Sequence, residues 1–360
     1  MAVADSSRIL LLGAGHANLL AVRALRSALP TARITVIDAA AQAHYSGMFP
    51  GCIAGHYGPD KMRIDLDRFA TTHGVSFVQG SIMAVDPVAR QVSLGDGTMM
   101  SYDIAALDVG SHGAMPEIMG FADHAIAIKP LEAFTARLFG TDPTAPVVII
   151  GGGVAGAEVA LALRHRGARN VTVVEAGPMI AAALRPRARR YLTAALTRSG
   201  IRVLTGATVA AVHPDVAVLT DGTTINSGLS IGIAGARSHA WMAETLPVDD
   251  AGFVRVTPTL QVEGHPTLFA VGDCAAMVHA PRPKAGVFAV RQAPVLAANI
   301  AAAISDQPLQ RYDPQRDYLK IISLGDRLAL AEWRGLTLYG AWLWRWKDRI
   351  DRRFMASLQD

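Results

Sequence analysis

A chain of 360 residues is longer than one ordinary hydrophobic core supports, so two domains and a small appendage are expected. Hydrophobic residues make up 51% and charged residues 18%, which excludes a disordered chain; a net charge of +4, spread along the sequence, argues against a nucleic-acid surface. Two cysteines, Cys52 and Cys274, are too few for a disulfide framework and fit a reducing compartment.

The first apolar run, RILLLGAGHANLLAVRAL (8–25), predicts a strand, a tight turn and a helix, and RITVID (33–38) a second buried strand. An Asp before this run and a glycine motif inside it favour a first strand over a signal peptide. Gly13 permits the turn, and Gly15 lets a diphosphate approach the helix N-terminus. Asp38 follows at the end of the next strand, placed to accept hydrogen bonds from ribose hydroxyls. Asn18 stands where a third glycine is expected, either loosening helix–strand packing or lending a polar contact.

Next come HYSGMFPGCIAGHYG (44–58), a helix closing on Gly74, a short strand, and a β-meander over 83–113 that turns at Asp96-Gly97. The same order then repeats. PVVIIGGGVAGAEVALAL (146–163) carries Gly151, Gly153 and Gly156, and NVTVVE (170–175) ends on Glu175 as its ribose acid. Glu158 and three adjacent glycines make this stretch a poor membrane span. A second meander turns at Asp221-Gly222. One such glycine loop is weak evidence of dinucleotide binding; two, each closed by an acid at the right distance, are strong.

Downstream, VEGHPTLFAVGDCAA (262–276) is an apolar strand ending in Gly272-Asp273, and PRPKAGVFAVRQ (281–292) opens into a helix after Pro283. DYLKIISLGDRLALAEWRG (317–335) predicts two strands around Gly325-Asp326. LTLYGAWLWRWKDRIDRRFM (336–355) predicts a basic amphipathic helix with Trp342, Trp344 and Trp346 among its arginines.

The two glycine loops with the Gly-Asp strand end resemble the pyridine nucleotide-disulfide oxidoreductase superfamily over nearly the whole chain. Within it, GAGHANLLAVRAL, HYSGMFPGCIAGHY, PRPKAGVFAVRQAPVLAANI and WRWKDRIDRRFM resemble the FAD-dependent oxidoreductase found fused to selenide, water dikinases. Type II NADH dehydrogenases are similar more broadly. The resemblance implies an α/β fold of two Rossmann-like domains: an FAD domain from 1–115 and 255–310, an inserted NAD(P)H domain over 116–254, and a small α+β interface module over 311–360.

It further implies that Gly13, Gly15, His16, Ala17, Asp38, Gly110, Gly272, Asp273, Gly286 and Val287 hold FAD, with Met48 and Pro50 against the flavin ring. Gly151, Gly153, Gly156, Glu175 and Gly235 hold the nicotinamide cofactor. Glu175 favours NADH, since a carboxylate repels a 2′-phosphate; Arg185 and Arg187 lie nearby and leave NADPH open. Glu158 matches a family glutamate beside the nicotinamide, with an ordinary first-turn acid as the alternative. Lys284, with the amides that follow it, is read either as stabilising charge on reduced flavin or as a solvated loop cation. No metal site is read.

Disulfide reductases of the superfamily carry Cys-x4-Cys in the 44–58 region. The partner positions of Cys52 are Gly47 and Tyr57, so an internal dithiol is not expected, and Cys52 is either a lone redox thiol or a packing residue. His44, Tyr45 or His56 either supply protons or serve the structure. Electrons are therefore expected to leave for an external acceptor, a small quinone-like molecule being favoured over an iron–sulfur protein; a non-catalytic flavin-binding sensor is the reading from another class. Residues 336–355 are expected to touch a membrane surface, the FAD domain or a second copy of the chain. The location read is cytoplasmic, free or peripheral on the inner face of the cell membrane.

Overall fold

The structure, a computed structural model, describes residues 7–113, 115, 118–233 and 235–359. Among these residues two parallel sheets dominate. The larger has the strand order Gln261–Val262, His265–Ala270, Ile104–Leu107, Arg8–Leu12, Arg33–Asp38, Ser76–Gln79, with only the first pairing antiparallel. Helices His16–Ala28 and Gly286–Ile304 pack against one another beside it. Burial on both faces explains why its central strands are nearly unbroken apolar runs; Ile9, Leu11, Leu12 and Leu107 are fully buried.

The second sheet runs Ala125–Ala127, Leu229–Gly232, Val147–Ile150, Val171–Glu175, Arg202–Thr205, all parallel. Helix Val154–Arg166 leaves its central strand, as His16–Ala28 leaves Arg8–Leu12 in the first sheet. Each sheet carries a three-stranded antiparallel meander, Ile82–Asp86 to Met99–Ser101 and Val209–Val212 to Thr224–Asn226. Both Asp-Gly turns form, with Gly97 and Gly222 at φ 86°, a conformation that costs glycine little. Strand His112–Gly113 pairs with Ala236–Arg237 and crosses between the two halves.

The 44–58 stretch is partly helical: a 3-10 turn, Ser46–Met48, leads into helix Phe49–Ile53, which packs on helix Val154–Arg166. One local expectation differs. At the C-terminus, Leu336–Gly340 is a third strand on Lys320–Ser323 and Ala329–Trp333, and the helix spans Ala341–Gln359 instead of starting at 336. Thr337 and Tyr339 suit a strand, and Gly340, at φ 148°, breaks continuity with the helix.

Candidate active site

Each glycine loop is pinned by the acid of its own unit. Gly13 donates its amide to Ile37 O at 2.8 Å and Gly151 to Val174 O at 2.8 Å, closing the strand-to-helix turns. Asp38 Oδ2 accepts the Ala14 amide at 2.7 Å, and Glu175 Oε2 accepts the equivalent Gly152 amide at 2.7 Å. Their second oxygens accept the amides of Ala40, at 3.0 Å, and Gly177, at 2.7 Å. A carboxylate offers about four acceptor sites, so both acids retain lone pairs for ribose hydroxyls.

Helix His16–Ala28 starts from Gly15 and helix Val154–Arg166 from Gly153, and neither N-cap residue supplies a side-chain cap. A Cβ on Gly153 or Gly110 would meet no atom within 4 Å, so open space lies over both; a Cβ on Gly156 would strike the Gly151 carbonyl, which is why helix and strand approach so closely there. Strand-end acids, the amides left at each helix start and the open space over Gly153 and Gly110 fit two dinucleotides.

Asn18 resolves the irregular third position. It is fully buried, and its Nδ2 donates to Gly13 O at 2.9 Å and Ala106 O at 3.1 Å. The departure from glycine thus lends a polar contact. Asp108, which sequence reasoning missed, lies at the end of strand Ile104–Leu107. Its Oδ2 accepts the Ala17 amide at 2.8 Å and the Asn18 amide at 3.1 Å. Burial pushes its carboxyl up to about 7, against the pull of those two amides and reinforced by Asp273 and Asp38.

Asp108 borders a cleft of about 450 Å3, within the roughly 300–1,000 Å3 of ligand sites. The cleft brings together Gly15, His16, Asp38, Gly110, Gly272, Asp273 and Gly286 from the sequence reading. Asp273 Oδ2 receives Lys129 Nζ at 3.3 Å and Ser111 Oγ at 3.3 Å. Gly272, at φ 66°, donates its amide to Gln292 Oε1 at 2.8 Å. Met48 and Pro50 are buried, and Ser46 lines the cleft in their neighbourhood. Gly13 and Ala17 stand behind the wall, Val287 is half-buried on the turn after Gly286, and Gly235 is exposed at φ 65° beside strand Ala236–Arg237.

Lys284 does not line this cleft but an adjoining one that shares Gly272 and Asp273. Its ammonium donates to Ala275 O at 2.6 Å and sits 3.8 Å over the Phe253 ring, and burial lowers its pKa. Glu158 faces the C-terminal module, where its Oε1 accepts the Ser323 amide at 2.7 Å. Although part of the residue reaches solvent, burial of the carboxyl pushes it up to about 7, with Lys347 opposing. Lys347 in turn donates to Gly47 O at 2.5 Å and to Asp351 Oδ2 at 2.6 Å, so the C-terminal helix grips the Ser46–Met48 turn.

Cys52 is 1% exposed and burial pushes its thiol up to about 11; the buried Cys274 thiol is pushed up to about 12 and donates to Val271 O at 3.1 Å. Both stay protonated near neutral pH, and the chain has no third cysteine. His44 lines the cleft, while a ring nitrogen of His56 lies 2.7 Å from Gly325 O.

Two glycine-loop sheets with paired strand-end acids define a two-dinucleotide oxidoreductase. The chain belongs to the pyridine nucleotide-disulphide oxidoreductase family, whose model matches residues 7–293. It is an enzyme that works with FAD and a nicotinamide dinucleotide. An NADH dehydrogenase-like protein of Mycobacterium tuberculosis is 31% identical over 235 residues, 59% of this chain and 58% of that protein. The type II NADH:quinone oxidoreductase of Staphylococcus aureus is 23% identical over 346 residues, 86% and 85% of the two chains. In fold, the sulfide:quinone oxidoreductase of Aquifex aeolicus matches with a TM-score of 0.83 at 18% identity, covering 98% of this chain and 91% of that one.

Proposed function

We propose that the chain oxidises NADH at the Gly151–Gly156 loop and delivers the electrons to a small quinone-like acceptor. The observation that carries this reading is the pairing of two glycine loops, each leading into a helix and each pinned by its strand-end acid, in a chain that has no dithiol to relay electrons internally. FAD, when bound in the cleft, supplies the two-electron centre between donor and acceptor.

The chain's own groups bind and orient. Asp38 and Asp273 hold the ribose and ribityl hydroxyls, and the amides of Gly15 and His16 face the diphosphate. Glu175 holds the adenosine ribose of NADH and disfavours a 2′-phosphate. Residues 1–115 and 255–310 form the FAD unit, with 116–254 inserted as the nicotinamide unit.

The C-terminal module makes peripheral contact with a membrane that holds the acceptor. Trp342 and Trp346 are 51% and 43% exposed and stacked, with Leu336 and Leu338 exposed on the adjoining strand. Arg345, Arg349, Arg352 and Arg353 surround the tryptophans, the pattern of an interfacial helix. The similarity to a type II NADH:quinone oxidoreductase supports the choice of acceptor.

Steady-state NADH oxidation by the purified protein, with a short-chain quinone, a ferredoxin-type protein or oxygen as acceptor, tests the reading. Turnover should be fastest with the quinone. Faster turnover with the iron–sulfur protein would replace this acceptor with a protein partner.

A further inference from the structure

Four carboxyl groups, Asp38, Asp108, Glu132 and Asp273, line the cleft that would take the diphosphate of FAD. Asp38 is held by two amides, and Asp273 is paired with Lys129. Among the described residues no cation pairs with Asp108. It is 4% exposed, and both its hydrogen bonds, from Ala17 and Asn18, fall on Oδ2. Its Oδ1 is directed at Gly272, where an added Cβ would strike it, and a Cβ on Gly15 would strike the same carboxyl. The group is therefore wedged between the glycine loop and the Gly272-Asp273 turn.

An ionised, unpaired carboxylate in this position would stand beside the charges of a diphosphate in a site largely shielded from water, which costs far more than the same repulsion in solvent. A neutral carboxylic acid has the opposite effect. Oδ2 keeps accepting the two amides, and Oδ1–H becomes a donor available to the cleft. The amides of Gly15 and His16 remain for the ligand.

We propose that Asp108 is a cofactor-binding residue that acts in its protonated form, as a hydrogen-bond donor, so that uptake of FAD takes up a proton. This inference rests on the reading of the cleft as the FAD site. The groups facing Asp108 divide: burial, the largest effect, disfavours its ionisation, as do Asp273 and Asp38, from strand Arg33–Asp38, while the Ala17 and Asn18 amides favour it. Cys274 is buried with its thiol protonated, Gln292 is neutral, and burial lowers the pKa of His16 on the first turn of the helix. Lys129 is the nearby cation, and it is engaged by Asp273. A bound dianionic diphosphate adds to the effect of the two acids and raises the Asp108 pKa further.

The sign follows from linkage. Below about pH 7 the free protein already carries the proton, and affinity for FAD is at its highest. Above it, each binding event must take up a proton, so affinity falls by up to about tenfold per pH unit until the bound-state pKa is reached.

The test is titration of the full chain, freed of flavin, with FAD from pH 6 to 8.5, with calorimetry in buffers of different ionisation heat to count protons. Wild type should weaken above pH 7 and take up a proton at pH 8. Asp108→Asn, which keeps an acceptor for the amides and a donor for the ligand, should bind with a flat pH profile and lack that uptake. The difference between the two isolates Asp108 from His16. A flat wild-type profile with tight binding, or equal uptake by both proteins, overturns the proposal. Should the variant fail to fold, the wild-type count decides alone: no proton taken up at pH 8 overturns it. Failure to bind FAD at any pH is a different outcome, and it removes the cofactor reading itself.

Discussion

Tyr45 donates a hydrogen bond of 3.0 Å to Asp351, joining the turn beside the first glycine loop to a helix at the far end of the chain. Asp351 also accepts Lys347 at 2.6 Å, and Phe354 stacks on the Tyr45 ring with centroids 4.3 Å apart. The C-terminal helix thus packs behind His16 and Tyr45, beside the site, as well as presenting an outward-facing surface.

Removing Asp351 leaves Lys347 in a mostly buried position without its counter-charge. Asp351→Ala should lower unfolding free energy by about 3 kcal/mol, and Tyr45→Phe by about 1 kcal/mol. Urea denaturation measures both. Equal, negligible losses would mean the helix is not anchored through this pair.

Glu175 sets coenzyme choice in this account. Glu175→Arg should shift the ratio of kcat/KM from NADH toward NADPH by about tenfold or more, since one charge repelling a phosphate becomes one pairing with it. It should also raise KM for NADH, because the amides of Gly152 and Gly177 lose their acceptor. Unchanged selectivity, read from initial rates with both coenzymes, would show that the ribose lies elsewhere.

Two buried acids should contribute stability that falls as pH rises between about pH 5 and 7. Asp108 and Glu158 both carry folded-state values of about 7, above those of an unfolded chain. At these two groups the folded protein holds more protons than the unfolded one, so their contribution falls as pH rises, while His16, His44, His56, His73 and His239, lowered by burial, act in the opposite sense. Asp108→Asn and Glu158→Gln should each flatten part of this slope in flavin-free protein, followed by thermal unfolding across the window. A slope that persists in the double variant would assign it to other groups.

Neither cysteine should take part in turnover. Cys52→Ala should keep kcat within about twofold of wild type, and native protein at pH 8 should resist a thiol reagent that reacts twice after unfolding, because buried protonated thiols are poor nucleophiles. Loss of flavin reoxidation in Cys52→Ala would instead make that thiol the electron relay.

What the sequence disclosed tracks how local each signal is. The two glycine loops and their acids lie within about one strand–helix–strand unit, so Gly13 with Asp38 and Gly151 with Glu175 were legible from spacing. The Asp-Gly turns were legible for the same reason. Asp108 was not, because its meaning depends on amides 90 and 91 residues away. Lys129 pairs with Asp273 across 144 positions, and Lys347 reaches Gly47 across 300; in the sequence, Lys347 is one cation among many on a basic helix. Even there a faint signal existed, since Lys347 and Asp351 stand four apart on one helical face. Strand Leu336–Gly340 was hidden by its apolar continuity with the helix that follows.

The central claim is that donor and flavin meet in this chain. Anaerobic stopped-flow mixing of the flavin-loaded protein with NADH tests it most directly. The account predicts rapid loss of flavin absorbance, first order in bound enzyme and complete without any thiol reductant. A flavin that stays oxidised under saturating NADH and NADPH would contradict it.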